Sequence, residues 1–228
     1  VICVQPLPVS LIVPALNEGE RIEKLLSDIR PVVANMIVVD GGSTDNTVAR
    51  ATASGAVVVP SDKGRGQQLL TGADAATEPW LLFLHADSTL TGDWARAIRV
   101  FVEQRESQSR AGYFHFKLDD ASPPARRLER IVRWRCRALG LPYGDQGLLI
   151  SRALYEECGG FRRIPLMEDV DLVRRIGKKR LQSLDAAIVT SADRYRRDGY
   201  FRRSARNLCL LALYWLGVPP RWLVRAYG

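Results

Sequence analysis

Four continuous apolar runs, each followed by a segment of helical periodicity, constrain this chain more than any other feature. They are Val9–Pro14, Met36–Val39, Ala56–Val59 and Trp80–Leu84. A strand that is apolar along its whole length has both faces covered, as in a parallel sheet under helices. The intervening segments suit the crossovers. After Asn17, which is placed to cap a helix, Ile22, Leu25, Leu26 and Ile29 share one helical face. Ser43 or Thr44 is placed to cap a second helix ending at Ala53, and Gly66–Ala76 and Asp93–Gln104 read as two more. The expected class is α/β, with a mostly parallel central sheet and helices on both faces.

The second half is less regular. Ala111–Leu118 alternates, as an antiparallel strand would. Pro123–Leu139 reads as a helix, with Arg126, Arg130, Arg133 and Arg137 on one face and Leu128, Ile131, Val132 and Leu139 favouring the other. Short strands are expected at Gln146–Ile150 and Ala187–Thr190, short helices at Ala153–Cys158 and Val170–Ile176, and a terminal helix at Tyr200–Leu216. No repeat or linker interrupts the 228 residues, a length that fits one domain.

Charge is uneven. The chain carries +8, yet Ser122–Leu139 contributes +5 and the segment from Arg194 onward +7, so the remainder is net −4. Such basic segments suit phosphates or an anionic surface. The cysteines, Cys3, Cys136, Cys158 and Cys209, form no C-x-x-C pair. That argues against a zinc site and for a reducing compartment. No basic n-region precedes the N-terminal apolar residues, and Leu208–Val218 is about half the ~20 residues needed to span a bilayer. The expected location is cytoplasmic, with peripheral contact at the inner face of the membrane through the basic segments and Trp215, Trp222 and Tyr227.

In an open parallel sheet, ligands bind at the carboxyl ends of the strands. There the chain places Pro14-Ala15-Leu16-Asn17-Glu18, Asp40-Gly41-Gly42-Ser43, Asp62-Lys63-Gly64-Arg65 and His85-Ala86-Asp87. Carboxylates, glycines and cations on one edge suit a nucleotide diphosphate and a divalent metal. Taken singly, each is an ordinary turn or helix cap. The pattern is neither a G-x-G-x-x-G fingerprint nor a P-loop.

The combination is more specific. Ser10–Glu18, Ile37–Thr47, Lys63-Gly64-Arg65, Leu82–Asp87 and Met167-Glu168-Asp169-Val170-Asp171-Leu172, in this order and spacing, resemble the family 2 glycosyltransferases, which have the GT-A fold. Gly144-Asp145-Gln146-Gly147 and Leu216–Pro220 look like a small bacterial subfamily labelled arsenosugar-biosynthesis glycosyltransferase. The resemblance implies a GT-A domain over residues 1–192, with a nucleotide-binding half at about 9–105 and an acceptor half at about 106–192. Residues 193–228 would form a basic helical C-terminal extension.

It implies roles as well. Pro14, Ala15, Leu16, Asn17 and Glu18 would line the nucleoside pocket, with Gly41 and Ala86 beside it. Asp40 would accept from the N3–H of uracil, while Lys63 and Arg65 would meet the diphosphate. Asp87 matches the last aspartate of a D-x-D metal motif whose first position is His85 here. The cofactor would be Mn²⁺ or Mg²⁺, with imidazole favouring Mn²⁺. Asp169, with Glu168 second, would be the catalytic base of a single inverting displacement. Gly144, Asp145 and Gln146 would line the sugar or acceptor pocket. Apart from the resemblance, the density of arginines after residue 193 suggests that Arg194, Arg196 or Arg197 closes over the diphosphate as a lid, with Arg196 counted among the sugar or acceptor contacts. The donor would be a nucleotide sugar, with UDP expected over GDP or TDP, and the acceptor a small or lipid-linked hydroxyl. Nucleic acid is not expected as a partner. The rival readings are a nucleotidyltransferase of similar fold, which lacks its G-x-G-T-R-like signature here, and a silent basic module for membrane or nucleic acid.

Overall fold

The computed structural model describes residues 5–227. Cys3 and the side chains of Arg225 and Tyr227 lie outside the description. In chain order the elements are β1 (Leu7–Ala15), α1 (Gly19–Ile29), β2 (Val33–Asp40), α2 (Thr47–Ala53), β3 (Val57–Pro60) and α3 (Arg65–Ala75). Next come β4 (Trp80–Phe83), β5 (Thr89–Thr91), α4 (Trp94–Glu103), β6 (Ala111–Leu118), α5 (Pro123–Leu139) and β7 (Leu148–Ser151). Then follow α6 (Arg152–Glu157), α7 (Glu168–Ile176), β8 (Leu181–Thr190), α8 (Asp193–Asp198), α9 (Tyr200–Trp215) and α10 (Pro220–Tyr227).

All eight strands join one sheet in the order β3-β2-β1-β4-β7-β6-β8-β5. β3, β2, β1 and β4 are mutually parallel, as the apolar runs predict. β7 is antiparallel to both β4 and β6, while β6 runs parallel to β8. The chain steps outward from β1 to β3, then crosses back to β4 on the other side of β1. That reversal opens a crevice at the carboxyl ends of β1 and β4. Ala15 lies beside Asp40 in the register, so the loops after β1 and β2 leave the sheet at one level.

The two faces bury separate cores. Leu11, Val13, Val38, Leu82 and Leu84 pack under α1 and α4 through Ile22, Leu26, Ile98 and Phe101. Ile12, Ile37, Val39, Leu81 and Phe83 pack under α3, α6 and α7 through Leu69, Ala73, Leu154 and Leu172. Gly72 lets α3 approach closely, because a Cβ there would run into Ile12 and Val39.

α5 has the expected ends. Ser122 accepts from the Ala125 N–H, prolines fill the first turn, and Gly140 closes the helix at φ 63°. Its faces differ from expectation. Ala125, Glu129, Val132 and Cys136 point inward, whereas Ile131 and Trp134 are exposed. The buried Glu129 carboxylate accepts from the Leu118 N–H at the end of β6, which brings an acid inside where the apolar pattern put Ile131. β5 was not expected; it is three residues long and pairs with β8 at Ala187–Val189. The expected terminal helix, Tyr200–Leu216, is α9; α8 precedes it, and α10, opening at Pro220, follows it. The segment after residue 192 is packed on the body: Ala192, Tyr195 and Tyr200 join one cluster, and Leu211 joins Leu141, Val170 and Val173 in another. Among the described residues, no helix is long and apolar enough to cross a membrane.

Candidate functional site

The loops after β1 and β2 lock into each other. Asn17 sits at φ 56°, a left-handed conformation that asparagine tolerates. Its Oδ1 accepts from the Thr44 N–H at 2.9 Å, and its own N–H donates to Ser43 Oγ at 2.9 Å. Glu18 N–H donates to Thr47 Oγ1 at 2.8 Å, and Gly19 N–H to Asp45 Oδ2 at 3.2 Å. Asn17 therefore does not cap α1, nor do Ser43 and Thr44 cap α2. The first N–H groups of α1 are satisfied from the neighbouring loop instead, because both loops leave adjacent strands together. Asp40, at the end of β2, accepts from the Gly42 and Ser43 N–H groups. Behind it, buried Gln68 donates to the carbonyls of Ala15 and Val39 at 2.9 Å each, tying α3 to both strand ends. Sequence reasoning missed Gln68; a lone amide inside a helical pattern carries no spacing signal.

Glu168 and Asp169 open α7 after Met167, whose φ is 67°. The Gly144 N–H donates to Asp169 Oδ2 at 2.6 Å, and the Val170 N–H to Oδ1 at 2.7 Å. A Cβ on Gly144 would lie 3.1 Å from His85 Nε2 and 3.2 Å from Asp169 Oδ2. The 144–146 turn thus passes close to both the end of β4 and the start of α7, and a larger residue at 144 would crowd both side chains. Arg65, in the first turn of α3, brings Nε to 3.6 Å from Glu168 Oε1.

Burial governs the titration here. It pushes the Glu168 carboxyl up to about 7, with Asp169 adding to the effect and Arg65 opposing it. It pushes Asp145 up to about 6, against the pull of Arg135. It pushes the His85 imidazole down to about 3, helped by the charges of Arg65 and Arg194, so the ring is neutral near pH 7. Asp145 Oδ1 is buried and takes no hydrogen bond among the described residues.

Arg65, His85, Tyr143, Gly144, Glu168 and Asp169 rim one cleft of about 450 Å³ over an apolar floor including Leu69, Phe83 and Phe161. A second cleft of about 500 Å³ shares Arg65, Tyr143, Glu168 and Asp169 and continues to Asn207 and Leu210 of α9. Both volumes include space open to solvent. The expected nucleotide residues from Pro14 to Glu18, with Asp40, Gly41, Lys63, Ala86 and Asp87, do not line either cleft and stand at the strand ends beside them. Ala15 and Ala86 are buried, so only their backbone faces a ligand.

Two expected pocket residues are placed otherwise. Gln146 is 1% exposed, and its amide is taken up by Arg135, the Tyr143 N–H and the Phe114 carbonyl. It holds the turn and does not face the cleft. Arg196 is engaged with Asp119, Asp120 and Asp193, which anchors α8 to the end of β6. On α8 it is Arg194 whose charge acts on His85 and Glu18. Of the other basic residues after Arg194, Arg197, Arg203 and Arg206 gather on Asp198.

Among the described residues, no three His, Cys, Asp or Glu side chains converge on a cation position. Asp87 and neutral His85 offer two donors at one strand end, with the unpartnered Asp145 oxygen nearby, since the charge of Asp87 acts on Asp145. That set fits a divalent ion arriving with a diphosphate, which supplies its remaining oxygens, and not a resident all-protein cage.

The Glycosyl transferase family 2 profile matches residues 10–153. Glycosyltransferase AglJ of Haloferax volcanii is 41% identical over 87 residues, 37% of this chain and 29% of that protein. Glucosyl-3-phosphoglycerate synthase of Mycolicibacterium smegmatis is 37% identical over 92 residues, 35% of this chain and 30% of that protein. The stretches this chain shares with these curated relatives span less than a third of their length. The crystal structure of glucosyl-3-phosphoglycerate synthase from Mycobacterium tuberculosis in complex with Mn²⁺, uridine diphosphate and glucosyl-3-phosphoglycerate superposes with a TM-score of 0.56 at 22% identity. That match covers 80% of this chain and 70% of the other. Likeness at this identity shows the fold.

Proposed function

Because the chain belongs to glycosyl transferase family 2 and has the GT-A fold, we propose that it moves a sugar from a nucleotide-diphosphate donor to an acceptor hydroxyl. The observation that carries this reading is the placement of Asp169. Two backbone N–H groups hold its carboxylate at the rim of the first cleft, which Arg65 and His85 also line.

The nucleoside would sit against the interlocked Pro14–Glu18 and Asp40–Ser43 loops, with the Asp40 carboxylate accepting from the base. The solved relative's complex contains uridine diphosphate, which fits an acceptor at this position. Arg65 and Lys63 would meet the diphosphate, and Arg194 would approach it from α8. A divalent cation, Mn²⁺ or Mg²⁺, held by Asp87 and His85 would neutralise charge on the departing diphosphate. The anomeric carbon would then lie over the first cleft, where the Asp145 oxygen awaits a sugar hydroxyl.

Asp169 takes the proton of the acceptor hydroxyl as that oxygen bonds to the anomeric carbon. The bond to the diphosphate oxygen breaks on the opposite face, and its electron pair leaves with the nucleotide. The product is inverted at that carbon. The acceptor enters through the second cleft and is a small or lipid-linked molecule. The narrower subfamily expectation rests on Gly144–Gly147 and Leu216–Pro220 alone.

Calorimetry tests the donor site with UDP, GDP, TDP and CMP, with and without Mn²⁺, on the wild type and Asp87→Ala. Metal-dependent UDP binding lost in Asp87→Ala is the expected outcome. Tight GDP or TDP binding keeps the enzyme class and overturns the uridine assignment. Absence of all nucleotide binding overturns the reading.

A further inference from the structure

α9 is apolar on both sides. Its inner face, with Leu210 and Leu211 buried, packs on the body. Its outer face repeats Phe201, Ala205, Leu208, Ala212 and Trp215 along one side of the helix. Of these, Phe201 is 88% exposed, Leu208 66% and Trp215 54%, and Leu216 just beyond is 81%. An apolar strip at helical spacing normally faces a partner; Arg174 of α7 lies over the Trp215 ring at 5.2 Å, while Phe201, Leu208 and Leu216 stay mostly in solvent.

The neighbouring helices continue the surface. α5 and α10 both touch α9. α5 exposes Trp134 and Ile131 among Arg127, Arg130, Arg133 and Arg137, and α10 exposes Trp222 beside Arg221. None of these five arginines, nor Arg202 on α9, has a salt bridge among the described residues. The three helices contain a single acid, Glu129, and it is buried.

We propose that the outer faces of α5, α9 and α10 dock on an anionic lipid bilayer. Exposed leucine and phenylalanine need an apolar medium, tryptophan favours the interface, and unpaired arginines meet lipid phosphates. A second copy fits less well, because a symmetric contact would set each arginine cluster against its own image. Nucleic acid offers no place for Phe201, Leu208 and Leu216. The proposal stands apart from the catalytic reading. If that reading also holds, Asn207 and Leu210 line the second cleft from the inner side of the docked helix, so the acceptor approaches from the membrane.

The test is co-sedimentation of the full chain, without donor, with vesicles of phosphatidylcholine alone or mixed with phosphatidylglycerol. Binding is expected only with the anionic lipid, and salt should weaken it. Each arginine near the surface is worth about fivefold, so Arg130→Gln with Arg133→Gln should weaken partitioning by about 25-fold. Phe201→Ser with Leu208→Ser should release the protein, with circular dichroism confirming the fold. Tryptophan emission should shift to the blue on vesicles and be quenched by brominated lipid. Four results overturn the proposal: no binding to anionic vesicles, equal binding to neutral ones, a dimer by light scattering that Leu208→Ser dissolves, or nucleic-acid binding that the same variants abolish. Loss of the catalytic reading would leave vesicle binding intact.

Discussion

Asp169 and Glu168 are adjacent in sequence and opposite in circumstance. Asp169 receives two backbone N–H groups, which fix the direction of its carboxylate at the rim of the cleft. Asp169→Asn should therefore cut transfer by about 10²–10⁴-fold while leaving calorimetric nucleotide affinity near wild type. Glu168 is buried against Arg65, and its carboxyl is held at about 7 against an ordinary 4.5. The folded state thus binds this proton more tightly than the unfolded chain. Glu168 costs nothing below about pH 4.5, and its cost grows as pH rises through 7. Urea denaturation of the ligand-free protein should show stability falling across that window, with Asp145 contributing in the same direction. Glu168→Gln should flatten the fall; an unchanged slope would assign it to other groups. Both acids were legible as a motif, with Asp169 ranked first by the resemblance, but the burial of Glu168 was not, since it depends on how α7 packs.

At the scale of elements, α5 shows what local sequence can specify. Its cap, prolines and terminal glycine set both ends as expected. Ser122→Ala should cost about 1 kcal/mol by denaturant titration, the usual price of a lost N-cap. Its orientation differs from the apolar pattern because the Leu118 N–H at the end of the preceding strand needed an acceptor and Glu129 supplied one. The α1 and α2 caps failed for the same kind of reason. Asn17, Ser43 and Thr44 are good cap residues, yet they serve each other across two loops. Asn17→Ala should loosen both loops together, seen as faster amide exchange at Thr44 as well as in the first turn of α1.

For the whole molecule, Leu211 and Tyr214 cover Leu141, Val170 and Val173, the apolar support of the α7 start. Deletion of residues 193–228 should therefore expose that cluster, raise dye binding and lower the melting temperature, not release an intact catalytic body. Leu211→Ala should cost about 2–5 kcal/mol by the same logic. The parallel half of the sheet, the loops at its carboxyl edge and the acidic helix start are written in the local residue pattern. Those features follow from apolar periodicity and turn chemistry within a few residues. Long-range packing set the rest: β7 and β6 extend the sheet, Gly144 ties the 144–146 turn to Asp169, Gln146 and Arg196 hold the scaffold, and the charge of Arg194 acts on His85. It also left Phe201 and Leu208 on the outer face of α9 exposed. Such outcomes depend on which distant groups compete for one burial site or one hydrogen bond, and no local pattern records that competition.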